Sequence, residues 1–228
     1  MIKFENTKVI GWEAAVRGMR NPLNSWNKSD SKFNFIETCV DEFGEFDLKR
    51  DVKLGKNDLS LMKRLRNAGT DHRKFMRMIM VYVDITAPLY MLKELDQYKV
   101  GVTSNSCSTM HRIHAKKFTL EDFSCEHLID DFALSNAESP MNVMEHIIYC
   151  LNFCRSLYLR TKDKKYWYSM IQLLPSSYNQ KRTYCMNYEV LANIYKSRKN
   201  HKLDEWVEFC KWIESLPYFK LITGENKE

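Results

Sequence analysis

The sequence predicts an α+β fold: a small antiparallel sheet packed with long helices. Three observations carry that expectation. Strand-like pieces are short and confined to the first part of the chain, one strong helix and one strong strand follow, and the second half reads almost wholly helical. There are too few strands for a doubly wound sheet. The common phosphate loops, GxGxxG and GxxxxGK[ST], do not occur.

The bulk numbers suit one domain spanning 1–228. Hydrophobic residues make up 44% and aromatic residues 13%, enough for a real core, and 7 Gly with 5 Pro argue against a linker-rich chain. The net charge of +6 comes from interleaved basic and acidic residues without a like-charge block. A nucleic-acid tail is therefore not indicated, whereas a mild positive excess suits small anionic ligands such as nucleotide phosphates. Cysteines stand at 39, 107, 125, 150, 154, 185 and 210, with no CxxC pair. With no secretory signal and no apolar run of membrane-spanning length, free thiols in the cytoplasm are the simplest expectation.

In chain order, residues 8–12 and 33–39 read as short strands around turn-rich "RNPLNSWNKSDS". The stretch "NDLSLMKRLRNAG" reads as a helix, with Asn57 as N-cap, Leu59, Met62 and Leu65 as an apolar stripe, and Gly69 just past the end. In "MIMVYVDIT", Ile79, Val81, Val83 and Ile85 alternate with Met80, Tyr82 and Asp84, the pattern of a buried strand that Pro88 closes. A polar loop rich in hydroxyls is expected at 103–109. Ser139 and Pro140 then open a long helix striped by Met144, Ile147, Ile148, Leu151, Cys154 and Tyr158. Two more helices are expected, at 183–198 and 203–216, the last burying Leu203, Trp206, Val207, Cys210 and Ile213 before Pro217 stops it.

Several residues are candidates for chemistry. In a 183–198 helix, Asn187, Leu191, Ile194 and Arg198 share one face, with amide and guanidinium roughly 16 Å apart along the axis. Such a face can hold two ends of a long ligand, or simply be a helix with solvated ends. Cys107, His111 and His114 have helical spacing but match no common zinc signature, so no metal is assigned. Cys107 between two serines is either a nucleophile or an inert loop thiol. His72 lines a pocket or caps the strand that follows.

Together these residues resemble the flavin-dependent thymidylate synthase family over about 55–213, with a weak extension to "AAVRG". "NDLSLMKRLRNAGTDH" looks like the family's helix leading to a Gly-His element, and "VYVDITAPLYM" is similar to its strand ending in a proline and an aromatic. In "LPSSYNQKRTYCMNYEVLANIYKSR", Leu174, Pro175, Asn187 and Arg198 fall on family positions without a gap, and "DEWVEFCKWI" resembles the helix that follows. The family signature R-H-R-x-x-S-x-N-E-x-S-x-R falls on a degenerate stretch. Gln97, Tyr98 and Lys99 stand for R-H-R, and Ser104, Asn105 and Ser108 lie near its small polar positions. Glu189 stands where the family has an arginine, and Met78 where it often has a histidine.

The resemblance implies reductive methylation of dUMP to dTMP in a homotetramer, using methylenetetrahydrofolate, FAD and NADPH. It places His72, Lys99 and Asn187 at the flavin, Ser104, Asn105, Ser108 and Arg198 at the nucleotide, and gives Arg198 the task of polarising the pyrimidine. The lost signature charges leave open a related reaction on another pyrimidine nucleotide, or a non-catalytic binding protein on the same scaffold.

Overall fold

A computed structural model describes residues 2–38, 47–130 and 138–224. Its main sheet has the order β1-β4-β6-β5, from β1 (Lys3–Ile10), β4 (Met80–Pro88), β6 (Asn179–Asn187) and β5 (Val102–Ser106), all antiparallel. A separate hairpin pairs β2 (Lys32–Thr38) with β3 (Asp47–Lys53). The helices are α1 (Trp12–Arg20), α2 (Lys56–Asn67), α3 (Leu89–Leu95), α4 (Pro140–Thr161), α5 (Lys164–Leu173), α6 (Tyr188–Arg198), α7 (Asp204–Glu214) and the short α8 (Lys220–Thr223).

The expected α+β class holds, and β4 explains why. Ile79, Val81, Val83, Ile85 and Ala87 are all buried, and opposite them on β6 lie the buried Tyr184 and Met186. The other face carries Tyr82, Asp84, Lys181 and Thr183, joined by a Thr183 hydroxyl bond to Asp84 at 2.6 Å and an Asn6 amide bond at 3.0 Å. One apolar and one polar face is the usual pattern of an antiparallel sheet. The core fills the space between the apolar face and α1, α3, α6 and α7, centred on Trp206, Phe209 and Tyr188. A second apolar cluster lies between α4, α5 and the 113–125 segment, around Leu151 and Met170.

Gly11, at φ +92°, joins β1 to α1 at a place where a side chain has no room: a Cβ there would lie 2.1 Å from the Met78 carbonyl oxygen. The strand expected at 8–12 therefore ends at Ile10, and Trp12 already belongs to α1, which the sequence did not reveal. The strand expected at 33–39 is β2; Cys39 lies outside the described residues. Asn57 is not the cap of α2. Gly55 takes that position, and Asp30 caps from a distance by accepting from the Asn57 and Asp58 amides at 3.0 and 3.1 Å. Ser139 and Pro140 do open α4, with the Ser139 hydroxyl accepting from the Asn142 amide at 3.1 Å.

Two expectations near the site are corrected. Residues 183–187 are strand, so α6 starts only at Tyr188. Their branched and aromatic content, and β4 waiting as a partner, override the helical spacing. The hydroxyl-rich 103–109 stretch is largely the edge strand β5. Polar side chains there keep an open sheet edge in water. In α7, Trp206, Phe209, Cys210, Trp212 and Ile213 are buried, while Leu203 and Val207 are only half-buried.

Candidate functional site

The expected site centres on α6. Asn187 ends β6 and becomes the N-cap of α6, its Oδ1 accepting from the Val190 amide at 2.9 Å. The Asn187 amide nitrogen lies against Gly101, where a Cβ would sit 2.5 Å away, and Gly101 has φ +76°. At the other end of α6, the Arg198 guanidinium donates to Glu94 at 2.7 Å and to the Tyr98 hydroxyl at 3.1 Å. It stacks 4.5 Å from the Trp206 ring centroid. Glu94 also accepts from the Trp206 indole at 2.9 Å. Leu191 and Ile194 between the two ends are fully buried.

The face shared by amide and guanidinium thus exists, but it is turned into the core. Both ends are held by one segment of the chain, residues 94–101, which runs along α6 from Arg198 to Asn187. That segment contains Gln97, Tyr98 and Lys99. Tyr98, at the position of the signature histidine, is a ligand of Arg198. Lys99 is exposed next to it and has no ion-pair partner among the described residues.

Ser104 and Asn105 are exposed on β5, opposite Tyr184 and Thr183 of β6. Ser108 caps the turn after the strand, its hydroxyl accepting from the amides of Met110 and His111 at 3.2 and 2.9 Å. It also lines a cavity of about 240 Å³ with Thr86, Cys107, Lys116, Tyr178 and Lys181. The cations there already have partners: Lys116 meets Asp122 at 2.5 Å, and Lys181 meets Glu5 at 3.0 Å and Asp84 at 3.4 Å. Burial pushes the Tyr178 hydroxyl up, aided by the nearby Asp122 carboxylate.

His72 is exposed in the turn after Gly69 and borders a different cavity, of about 410 Å³, with Gly18, Phe75 and Met78. That cavity shares no lining residue with the one at Ser108. Lys99, Asn187 and Arg198 are therefore brought together along α6, Ser104 and Asn105 follow on the adjoining strand, and His72 stands apart. Cys107 is exposed at the rim of the Ser108 cavity. Among the described residues no group of three His, Cys, Asp or Glu side chains could hold a metal.

Sequence reasoning missed a charged knot at the start of α6. Glu189 is buried and accepts from Arg73 at 3.0 Å and from Arg77. Burial pushes its carboxyl up, but the bonds from Arg77 and Arg73 overcome that and hold it below the usual range. Glu189 stands where the resemblance expected an arginine, and the guanidiniums instead come from the 73–77 turn. The four-residue spacing of Arg73 and Arg77 was visible in the sequence, but not a partner more than a hundred residues away.

No protein-family model and no curated protein matches this sequence. Solved structures that match the fold include two with nearly full coverage of this chain. Both are thymidylate synthase X from Helicobacter pylori with FAD and dUMP. One has a TM-score of 0.65 at 16% identity over 98% of each chain, the other 0.63 at 16% over 97% of each. The sheet, the helices and their order over nearly the whole chain are thus those of a flavin-dependent thymidylate synthase, and that is the fold to which this chain belongs.

Proposed function

We propose that this chain carries out the reductive methylation of dUMP to dTMP, with methylenetetrahydrofolate as carbon donor and NADPH as the source of reducing equivalents. The observation that carries the reading is the fold correspondence, end to end, with a protein crystallised with FAD and dUMP. The residues here fit a flavin nucleotide. The exposed edge of β5 offers neutral donors and acceptors, while Lys99 and the half-exposed Arg77 offer cations to its phosphates. FAD, when bound, supplies the hydride that turns the transferred methylene into a methyl group.

In this reading Asn187, Lys99 and His72 seat the flavin, and Ser104, Asn105 and Ser108 receive the nucleotide. Arg198 donates to the uracil carbonyls and stabilises charge developing on the ring. Glu94 must then release one arm of Arg198. Its side chain is 37% exposed, so a ligand can reach the pair. A homotetramer in the cytoplasm, with each site completed by a neighbouring chain, accounts for the distance of His72 from the rest.

A second reading keeps the scaffold and changes the ligand, either to another pyrimidine nucleotide or to a non-catalytic binding partner. The Glu94–Arg198 pair favours it, because an internal carboxylate already occupies the guanidinium. Visible absorption of the purified protein before and after adding FAD, followed by assays with dUMP and dCMP, separates the readings. Flavin bands and turnover of dUMP support the first. Flavin uptake with turnover of dCMP alone supports an altered substrate. A colourless protein that takes up no FAD and converts neither nucleotide overturns the enzymatic assignment.

A further inference from the structure

The flank of α6 opposite the 94–101 segment carries a different kind of pocket. On a helix of 3.6 residues per turn, Ala192, Asn193, Lys196 and Lys199 lie across from Asn187, Leu191, Ile194 and Arg198. With Arg66 and Arg73 they surround a cavity of about 250 Å³. Among the described residues, no carboxylate lines it. Among the described residues, neither Lys196, Lys199 nor Arg66 has an ion-pair partner.

The floor is fixed. Arg66 donates to the Leu221 and Ile222 carbonyls at 3.4 and 3.2 Å and rests against Gly224, where a Cβ would lie 2.6 Å from its Nη2. Arg73 is held by Glu189 at 3.0 Å and donates to Asn193 Oδ1 at 3.3 Å, which leaves the Asn193 amide nitrogen as a further donor. Burial, and then the like charge of Arg73, weaken the hold of Arg66 on its proton. The two lysines stand exposed at the rim, three residues apart on one helix face.

Cations are favoured at helix C-terminal ends, and α2, α6 and α8 all end here. Each such end offers only about half a negative charge, less for the four-residue α8. Among the described residues, four cations with one carboxylate behind Arg73 leave a positive surplus at the cavity. Fixed guanidiniums below, mobile ammoniums above and a neutral amide at the side are the donor set for a compact dianion.

We propose that Arg66, Arg73, Asn193, Lys196 and Lys199 form a binding site for a phosphate dianion, carried either as free phosphate or pyrophosphate or on a nucleotide. The proposal does not depend on the methylation reaction. Its test is isothermal titration of the full chain with inorganic phosphate, pyrophosphate and dUMP at fixed ionic strength. The variants are Lys196→Ala/Lys199→Ala and, as a control, Lys202→Ala, an exposed lysine that does not line the cavity.

Pyrophosphate or phosphate binding that weakens about tenfold or more in the double variant, and is unchanged in the control, supports the site. Loss of dUMP binding in the double variant as well makes the nucleotide the source of the phosphate; unchanged or absent dUMP binding makes it the free anion. All three lysines are exposed, so the fold persists, and an unchanged unfolding midpoint checks this. Wild-type protein that binds none of the three, or a double variant that binds like wild type, overturns the proposal.

Discussion

Two charge networks in this molecule differ in what surrounds them. In the first third of the chain, the Asp58 carboxylate is fully buried. It accepts from Arg20 at 2.6 Å, from the Ser29 and Ser31 hydroxyls at 2.8 and 2.6 Å, and from the Asp30 and Ser31 amides at 3.1 and 3.0 Å. Both carboxylate oxygens are held by hydrogen bonds, and the buried group is closed to a ligand. At the C-terminal end of α6, Arg198 and Glu94 also meet within hydrogen-bond distance, but Glu94 is open to water. The first network fixes the loop before β2 onto α2. The second can be opened by a competing ligand at small expense, because a partly solvated pair contributes little to stability. Enclosure, more than the presence of charge, separates a structural pair from one available for binding.

The largest expected effect tests the enclosed network. Asp58→Ala leaves the buried Arg20 guanidinium without its partner and should lower unfolding stability by about 3–5 kcal/mol in a denaturant titration. Burial raises the Asp58 carboxyl, but the bonds from Ser31, Ser29, Arg20 and the Asp30 amide outweigh it and hold the group below its ordinary 3.8. A depressed carboxyl stabilises above its unfolded value and loses that contribution as pH falls through the folded one. The wild type should therefore lose stability below about pH 4, and Asp58→Asn should show a shallower decline over that window.

A smaller loss tests how the 94–101 segment grips α6. Gly101→Ala puts a methyl group 2.5 Å from the Asn187 amide at a left-handed backbone position. About 1–2 kcal/mol of stability should be lost from the backbone alone, with further disturbance of the α6 cap. A midpoint equal to wild type would show that β5 shifts freely against Asn187.

The open network gives a lesser stability change and the sharpest functional one. Glu94→Gln should alter stability by no more than about 1 kcal/mol while freeing Arg198. If Arg198 receives the pyrimidine, dUMP should bind more tightly to this variant, whereas Arg198→Ala should bind it at least about tenfold more weakly. Equal dUMP affinity in wild type and both variants would leave the pair a purely structural tie. Smaller still is Lys116→Ala at the Ser108 cavity. The Lys116 ammonium is largely exposed, although Asp122 is mostly buried, so stability should move by less than about 1 kcal/mol.

Much of the fold was legible in the sequence because period reports burial. The alternation through Ile85 placed β4, the stripe from Met144 to Tyr158 placed α4, and Ser139-Pro140 marked its start. The site was legible only as positions. Asn187 and Arg198 were singled out, and they do mark the two ends of α6, yet their partners Gly101, Glu94 and Tyr98 lie some ninety or a hundred residues away. The wrong helix start at 183 has the same origin, since the spacing of 183–187 fits a helix until β4 and β5 are there to pair with it. α5 and α8 went unnoticed, being short and lying next to the Leu174-Pro175 and Pro217 breaks.

The sequence by itself determined the α+β class, the buried central strand, the long capped helix and the family likeness carried by Leu174, Pro175, Asn187 and Arg198. These follow from local steric preference and hydrophobic period, both properties of neighbouring residues. Tertiary structure alone decided which charges are enclosed, which are matched by a carboxylate and which face open space. Pairing and dielectric depend on groups that are distant along the chain and close in space, and no local pattern encodes them.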